Sequence, residues 1–270
     1  MRADLALVER GLARSRSQAA SLINDGRVLY AGRELRKPAT EVTDLEALKV
    51  VAGVDFVSRA GHKLDGALDH FAELEVQGKV CLDVGASTGG FTDVLLRRGA
   101  SQVIAIDVGH EQMVPELREN SSVACIEGFN ARELSPETLA ERLGASIPEI
   151  QLVVADLSFI SLTLVLEQML SVAPKADFVL LIKPQFEVGK QSLQADGVVT
   201  SHLLRAEAIR QVVDHANKLK MGIRGLERSS LPGTHGNIEY VLWISPAEKQ
   251  NSGKWSQAIE SLAKGGARDE

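Results

Sequence analysis

The sequence has few cysteines and no long apolar run. Its two cysteines, Cys81 and Cys125, lie far apart in apolar segments of a 270-residue chain, which fits neither a disulfide framework nor the spacing of metal ligands. No apolar stretch is long enough to cross a bilayer, and the first residues, MRADLALVERGLARS, carry charge in place of an apolar leader segment. We therefore expect a cytoplasmic protein with reduced cysteines, no metal site and no membrane contact.

Charge is unevenly distributed along the chain. The net charge is -6, yet residues 1–40 hold eight basic and four acidic groups, a balance of +4, which leaves -10 for the other 230 residues. A basic segment on an acidic body is typical of an appendage that binds a polyanion. On charge alone, an ordinary solvated helix face is the simpler explanation.

The basic segment contains the elements of a small RNA-binding unit. Ser15 and Gln18 form a capping-box pattern before a second short helix, Gly26 is placed to end that helix, and a hairpin follows with its turn near Ala31 and Gly32. This order, over residues 2–48, resembles the S4 RNA-binding domain. The resemblance implies that four arginines contact RNA phosphates: Arg14, Arg16, Arg27 and Arg33.

From Ser58 onward, apolar strand-like runs alternate with amphipathic helical ones. This alternation predicts an α/β fold with a mostly parallel, doubly wound sheet, and two successive strand candidates within residues 223–245 predict an antiparallel edge. We expect four segments: an S4-like domain at 1–50, a linker at 51–57, the α/β domain at 58–245, and a tail with a short helix at 246–270.

A glycine-rich loop follows the first strand candidate of the α/β domain. The stretch CLDVGASTGGF places Asp83 near a strand end, and the glycines after it let the backbone pass close to a ligand before a helix N-terminus. Its D-x-G-x-x-x-G-G spacing differs from the G-x-G-x-x-G of nicotinamide-dependent dehydrogenases. It favours S-adenosyl-L-methionine, whose ammonium group suits Asp83. The other predicted contacts from this loop are Gly85, Ala86, Ser87, Gly89, Gly90 and Phe91.

Two further cofactor contacts are predicted after the next strands. Asp107, 24 residues after Asp83, can accept hydrogen bonds from both ribose hydroxyls, which suits either cofactor. Asn130 follows the third strand candidate, where it either reaches an adenine edge or is simply a turn residue. The residues alone leave both interpretations open.

Charged residues end two later strand candidates. Lys183 follows the apolar run FVLLI and precedes Pro184, which restricts the lysine to an extended conformation and ends the strand. Asp156 follows VVA in the same way. Because ligands bind beyond the carboxyl ends of parallel strands, we expect these opposite charges to face one crevice. Phe159 and Phe186 are candidates for stacking on a base, or for core packing.

Five motifs follow the S4-like unit: FVSRAGHKL, LDVGASTGGFTDVLL, VVADLSFISL, LIKPQFEVGK and GNIEYVLW. Together they resemble the TlyA (hemolysin A-like) family of ribosomal RNA methyltransferases, within the wider group of FtsJ-like ribose 2′-O-methyltransferases. The resemblance implies a Rossmann-like class I methyltransferase that uses S-adenosyl-L-methionine. Its expected substrate is a cytidine at the ribosomal subunit interface, in 23S RNA with 16S RNA as a further candidate. It also implies a catalytic tetrad of Lys63, Asp156, Lys183 and Glu239.

The tetrad suits methyl transfer to a hydroxyl. In this hypothesis Lys183 removes or orients the 2′-hydroxyl proton, Lys63 favours the neutral form of Lys183 by charge repulsion, and the two carboxylates orient the lysines and the ribose. Without the resemblance, Lys63 and Glu239 would be ordinary solvated residues.

Two other functions remain as alternatives. One is a non-catalytic RNA-binding or ribosome-assembly protein, against which the complete tetrad argues. The other is a membrane-lytic protein, for which the sequence offers no strongly cationic amphipathic helix.

Overall fold

The computed structural model describes residues 1–24, 26–51, 56–189, 197–233 and 236–265. The chain folds into two compact units, Met1–Arg59 and Ala60–Glu270. Each unit has its own apolar core. Of the linker predicted at 51–57, residues 52–55 lie outside the described residues.

The N-terminal unit consists of two helices and a small antiparallel sheet. Helices α1 (Ala3–Glu9) and α2 (Arg16–Asn24) precede strands β1 (Val28–Tyr30), β2 (Arg33–Glu34) and β3 (Leu48–Val50), in the order β2-β1-β3. A 3₁₀ helix, Leu45–Ala47, precedes β3.

The turns of this unit follow the sequence prediction. Ala31 and Gly32 form the predicted hairpin turn with φ of 50° and 79°, as a two-residue hairpin loop of the primed type requires. Ser15 Oγ accepts the Gln18 N–H at 3.2 Å. The Gln18 side chain accepts the N–H of Arg14, one residue before the cap, at 2.7 Å, so only half of the capping box forms as predicted.

The second unit alternates helices and strands. Its helices are α3 (Arg59–His70), which begins at the boundary between the units, α4 (Gly90–Arg97), α5 (Pro115–Arg118), α6 (Pro136–Leu143), α7 (Leu166–Val172), α8 (Pro184–Glu187), α9 (His202–Lys218) and α10 (Ser252–Lys264). Its strands are β4 (Val80–Val84), β5 (Gln102–Asp107), β6 (Val123–Glu127), β7 (Leu152–Ala155), β8 (Asp177–Ile182), β9 (Gly222–Arg228) and β10 (Tyr240–Ser245). Short 3₁₀ helices lie at Ala131–Glu133 and Leu162–Leu164.

Within the described part of the chain these strands form one seven-stranded sheet in the order β6-β5-β4-β7-β8-β10-β9. Strands β4 to β8 are parallel, whereas β10 runs antiparallel to both β8 and β9. The central strands are buried on both faces, which explains their continuous apolar runs. The predicted fold class, a doubly wound sheet with an antiparallel edge, is confirmed.

Two features of the sheet position a site. The chain leaves β4 toward β5 and β6 and later returns to its other side at β7, so a crevice forms at the carboxyl ends of these strands. Tyr240 pairs with Ile182 in antiparallel register. The residues just before Tyr240 and just after Ile182 therefore lie at this same edge. None of the described helices is long and apolar enough to span a membrane.

Candidate active site

A cavity of about 460 Å³ opens at this edge of the sheet, a volume within the usual range for small-molecule sites. Four predicted cofactor residues line it: Gly85, Ser87, Asp107 and Asn130. Sequence reasoning missed nine other lining residues as cofactor contacts: Val84, Ile106, Val108, Gln112, Phe129, Ala131, Leu157, Ser158 and Ile160. Val108 is 68% exposed although it directly follows a buried strand, and an apolar residue at a strand end is the signal that could have indicated it.

Gly85 brings the loop after β4 against the loop after β7. Its φ is 86°, and a Cβ at this position would lie 2.9 Å from a Leu157 methyl carbon and 3.0 Å from the Asp156 carbonyl oxygen. Only glycine fits this conformation and this space. The glycine loop thus forms one wall of the cavity, and the segment after β7 forms the wall facing it.

Asp107 is held in place by backbone amides. Its Oδ2 accepts the Ser87 N–H at 2.8 Å, and its Oδ1 accepts the Gly109 N–H at 2.7 Å. Ser87 has a φ of 48°, and its hydroxyl donates to Gln112 Oε1 at 3.0 Å. The carboxylate predicted to bind a ribose is therefore fixed at the cavity wall.

Asn130 serves as a turn residue and also lines the cavity. Its Oδ1 accepts the Arg132 N–H at 3.1 Å and so caps the short helix Ala131–Glu133. The two interpretations of this residue are compatible, because the capping bond occupies the side-chain oxygen and the residue still faces the cavity.

Asp83 lies behind the cavity. It is completely buried, its Oδ2 accepts the Thr92 hydroxyl at 2.7 Å, and its Oδ1 has no hydrogen-bond partner among the described residues. Burial raises the pKa of Asp83 to about 7; the Thr92 hydrogen bond opposes this rise, and the negative charges of Asp156 and Asp107 add to it. An unsatisfied buried carboxylate oxygen is costly unless a cation or donor reaches it.

The other predicted loop residues lie outside the cavity lining: Ala86, Gly89, Gly90 and Phe91. Gly89, with a φ of 98°, caps the N-terminus of α4, and Gly90 is the first residue of that helix. Phe91 is buried beneath the loop.

The four tetrad residues form two ion pairs, of which Lys63–Glu239 is buried and Lys183–Asp156 is mostly buried. Lys63 Nζ lies 2.6 Å from Glu239 Oε2, and Lys183 Nζ lies 2.7 Å from Asp156 Oδ1. Lys183 also donates to the Ser158 hydroxyl at 2.9 Å. None of the four is an ordinary solvated side chain, because burial and pairing set them apart from surface charges.

Lys183 is fixed at its backbone as well as at its tip. It follows β8 in an extended conformation, with φ of -110° and ψ of 101°, and caps α8, which begins at Pro184. The lysine was predicted to be the last strand residue. The strand ends one residue earlier because proline at the first helical position starts a helix directly after the lysine.

Phe159 is the most exposed large apolar residue near this edge. It is 91% exposed and has a φ of 67°, so a role in core packing is wrong for this residue. Its ring centroid lies 5.2 Å from that of the half-buried Phe186, and Lys183 Nζ lies 6.0 Å from the Phe186 ring centroid. An apolar surface therefore adjoins the second ion pair.

The four candidate RNA-binding arginines differ in their contacts. Arg14 and Arg33 are exposed, and their side chains form no hydrogen bond or ion pair with any residue that the structure describes. Arg16 pairs with Asp4 at 3.2 Å, and Arg27 donates to the Val51 carbonyl at 3.3 Å.

Comparison with known proteins identifies the family of this chain. The model of FtsJ-like methyltransferases matches residues 56–245, and the model of the S4 domain matches residues 1–45. The chain belongs to the FtsJ-like methyltransferase family. The sequence motifs predicted an FtsJ-like methyltransferase domain after an N-terminal S4 domain, and this prediction is confirmed.

Relatives of this FtsJ-like chain cover nearly its whole length. It is 50% identical over 246 residues to the 16S/23S rRNA (cytidine-2′-O)-methyltransferase TlyA of Mycobacterium tuberculosis (strain CDC 1551 / Oshkosh), which covers 90% of this chain and 89% of the relative. Hemolysin A of Brachyspira hyodysenteriae is 37% identical over 244 residues, 89% of this chain and 98% of the relative. A solved structure of a hemolysin candidate from Streptococcus thermophilus is 32% identical, has a TM-score of 0.73, and covers 97% of this chain and 94% of that chain.

Proposed function

We propose that this protein is an S-adenosyl-L-methionine-dependent ribose 2′-O-methyltransferase that modifies a cytidine of ribosomal RNA. One observation carries the proposal: Asp156 both lines the cofactor-sized cavity and pairs with Lys183 at 2.7 Å. A lysine suited to contact a hydroxyl is thereby held beside the place where a methyl donor would bind. The name of the M. tuberculosis relative, which shares half of the 246 aligned residues, supports the cytidine and the RNA.

The residues around the cavity fit S-adenosyl-L-methionine. Asp107 offers a fixed carboxylate for the ribose hydroxyls, Asn130 offers its amide near the adenine, and the unsatisfied Oδ1 of Asp83 offers negative charge for the ammonium group. When bound, the cofactor supplies an electrophilic methyl group. Backbone contacts are proposed from the glycine loop: Gly85, Ala86, Ser87, Gly89, Gly90 and Phe91.

Lys183 is proposed to act on the 2′-hydroxyl. Two of the three N–H donors of its ammonium group are taken by Asp156 and Ser158. The third is free to bond to the ribose oxygen. In its neutral form Lys183 would accept the proton that the 2′-hydroxyl loses when its oxygen displaces the sulfonium sulfur from the methyl carbon; in its charged form it would orient the oxygen lone pair. Lys63 and Glu239 are proposed to stabilise the adjacent wall of the site.

The N-terminal unit and the exposed aromatic ring are proposed to position the RNA. Arg14, Arg16, Arg27 and Arg33 supply positive charge that the acidic body lacks, and phosphate contacts of this kind provide affinity without reading sequence. Phe159 offers a surface on which the target base can stack. Because ribosomal RNA is the substrate, we infer that the protein acts in the cytoplasm.

The test is direct transfer to RNA. Purified protein is incubated with S-adenosyl-L-methionine and unmodified large or small ribosomal subunits separately, and the RNA nucleosides are analysed by mass spectrometry. We expect 2′-O-methylcytidine with wild type and a loss of roughly 10²-fold or more with Lys183→Ala. Lys175→Ala is the matched control, because that lysine is exposed and pairs with Glu149 on the surface.

The outcome also distinguishes the roles of Lys183. Lys183→Arg keeps the charge but cannot accept a proton, so substantial activity would identify an orienting cation and its loss would favour a base. Cofactor binding without transfer to either subunit would contradict the proposed function and favour the RNA-binding or assembly role.

A further inference from the structure

Glu187 connects the two segments that carry Lys183 and Asp156. It is the last residue of α8, four residues after Lys183, and its side chain is buried. Its Oε1 accepts the Leu162 N–H at 3.0 Å, and its Oε2 accepts the Ser161 hydroxyl. The end of β8 is therefore tied to the end of the loop that follows β7.

The tied loop, residues 156–161, carries several groups of the site. Asp156 and Ser158 hold Lys183, and Phe159 presents its ring to solvent with a φ of 67°. A non-glycine residue in the left-handed region is strained and persists only where its surroundings hold it. Lys183 contacts the first part of the loop, and Glu187 contacts its last residue and the residue after it. Both ends of the loop are therefore held by the same short segment, residues 183–187.

A carboxylate is a costly choice for this position. Burial raises the pKa of Glu187, and the bonds from Ser161 and Leu162 counter that rise. An apolar side chain would fill the same space without desolvating a charge. The Glu187 carboxylate therefore provides hydrogen bonds that orient the loop, which an apolar side chain could not do.

We propose that Glu187 is a positioning residue that acts through the 156–161 loop to hold Asp156 and Ser158 against Lys183. The proposal deepens the proposed function and rests on it for its effect on turnover. Without the carboxylate, the Leu162 N–H loses its acceptor, the Ser161 hydroxyl is left with Thr163 Oγ1, and the loop is no longer bonded to α8 and relaxes. The contacts that orient Lys183 Nζ then loosen, although Glu187 itself does not touch substrate or cofactor.

The first readout is methyl transfer at saturating cofactor and RNA, per folded molecule. A displacement of about 1 Å at a reacting group costs up to roughly 10²-fold in rate, and we expect Glu187→Ala to lose about 10- to 100-fold. Glu187→Gln should recover most of the rate, because its amide oxygen can accept the Leu162 N–H and its amide nitrogen can donate to Ser161 Oγ. Ser161→Ala removes one of the two bonds to Glu187, together with the Ser161 cap on the Thr163 N–H, and should give an intermediate loss.

The second readout does not depend on methyl transfer. Amine acylation with acetic anhydride, followed by peptide mass spectrometry, reports how accessible each lysine is. Lys183 should become several-fold more reactive in Glu187→Ala, whereas Lys63, which is paired elsewhere with Glu239, should not change. If wild type transfers no methyl group, the proposed function fails, and this labelling still decides the role of Glu187.

Asp177→Asn is the matched control. Asp177 is a carboxylate at the opposite end of β8 and accepts the Trp243 Nε1–H at 3.2 Å, so its loss affects packing far from Lys183. We expect wild-type rate and wild-type Lys183 labelling. The proposal is overturned if Glu187→Ala lowers only the unfolding temperature while the rate per folded molecule and the labelling of Lys183 stay at wild-type values.

Discussion

Lys63 and Glu239 form a buried ion pair, with Nζ 2.6 Å from Oε2, although 176 residues separate them in the chain. The Glu239 side chain is 2% exposed and that of Lys63 10%. A single missing partner would leave the other charge buried without compensation. Removal of one partner of a buried pair is strongly destabilising, whereas replacing both by apolar groups is often neutral.

We therefore expect Glu239→Ala to lower the free energy of unfolding by roughly 3–5 kcal/mol. The double variant Lys63→Met with Glu239→Leu should regain most of this stability, yet it should not regain methyl transfer. Urea unfolding at pH 7 and the RNA assay provide the two measurements.

The control for this pair is Glu73→Ala. It breaks the exposed Arg224–Glu73 pair at 3.3 Å and should cost less than about 1 kcal/mol. A cost for Glu239→Ala no greater than that of the control would show that Lys63 reaches water or another partner once Glu239 is removed.

The sequence predicted the residues whose position depends on strand ends. Asp156 and Lys183 follow adjacent parallel strands, so a general rule about open sheets brought them together. No local pattern could pair Lys63 with Glu239, because their meeting depends on where α3 packs relative to β10, the antiparallel strand that Glu239 directly precedes; the family resemblance was needed.

Two kinds of feature were not predicted from the sequence: side-chain contacts that depend on the conformation of a loop, and one helix whose capping residues were overlooked. The segments of Ser158 and Glu187 were expected near the crevice, but their bonds to Lys183 and to the Leu162 N–H were not predicted, because these bonds depend on the path of the loop through Phe159, whose φ is 67°. Helix α6 was missed although Ser135 and Thr138 form a capping box around Pro136 and Gly144 ends the helix. In that case the local signals were present and went unread.

Cofactor binding should depend on pH through Asp83. Its carboxyl has a pKa of about 7, and only the charged form attracts an ammonium group. The affinity for S-adenosyl-L-methionine should therefore fall by up to about tenfold per pH unit below 7. Calorimetric titrations between pH 6 and 8 would measure it. Methylthioadenosine lacks the ammonium group and should bind with little pH dependence; an equal dependence for both ligands would contradict this role.

The same carboxyl should set a pH dependence of stability in the cofactor-free protein. Its pKa is raised on folding from 3.8 to about 7, so the folded state binds the proton more tightly than the unfolded state. The resulting stability is present below about pH 4 and is lost as the pH rises through 7. Asp83→Asn, which stays neutral, should gain thermal stability over wild type between these values and keep that advantage above pH 7. A constant difference in unfolding temperature across the range would argue against a raised pKa.

Gly233 leaves room for the Glu239 carboxylate. A Cβ at this position would lie 2.3 Å from Glu239 Oε1, a distance that forces the carboxylate to move. Gly233→Ala should therefore shift the pair with Lys63 and reduce methyl transfer by roughly tenfold or more.

Gly253→Ala is the comparison for that variant. A Cβ at Gly253 meets nothing within 4 Å, and alanine is favoured in helix α10, so activity should stay unchanged and stability should stay equal or rise slightly. Steady-state rates and thermal unfolding temperatures of both variants show whether displacement of Glu239 reduces methyl transfer without loss of stability. Equal activity of the two would show that Glu239 tolerates displacement.

The exposed arginines of the N-terminal unit should determine RNA affinity and its salt dependence. Arg14 and Arg33 are exposed, with no side-chain partner among the described residues, so Arg14→Glu with Arg33→Glu changes charge without breaking a described ion pair. RNA binding should weaken at every salt concentration, and the slope of log affinity against log salt should become shallower by about 0.7–0.9 for each phosphate that the variant no longer neutralises. Cofactor affinity should not change, because the cavity is lined entirely by residues of the second unit.

Lys254→Glu makes the same kind of charge change on the exposed face of α10 and should leave the slope at its wild-type value. Should the two arginine changes leave the slope intact while Lys254→Glu alters it, the RNA contacts would have to be assigned to the second unit, and the basic residues of the first would be an ordinary solvated face.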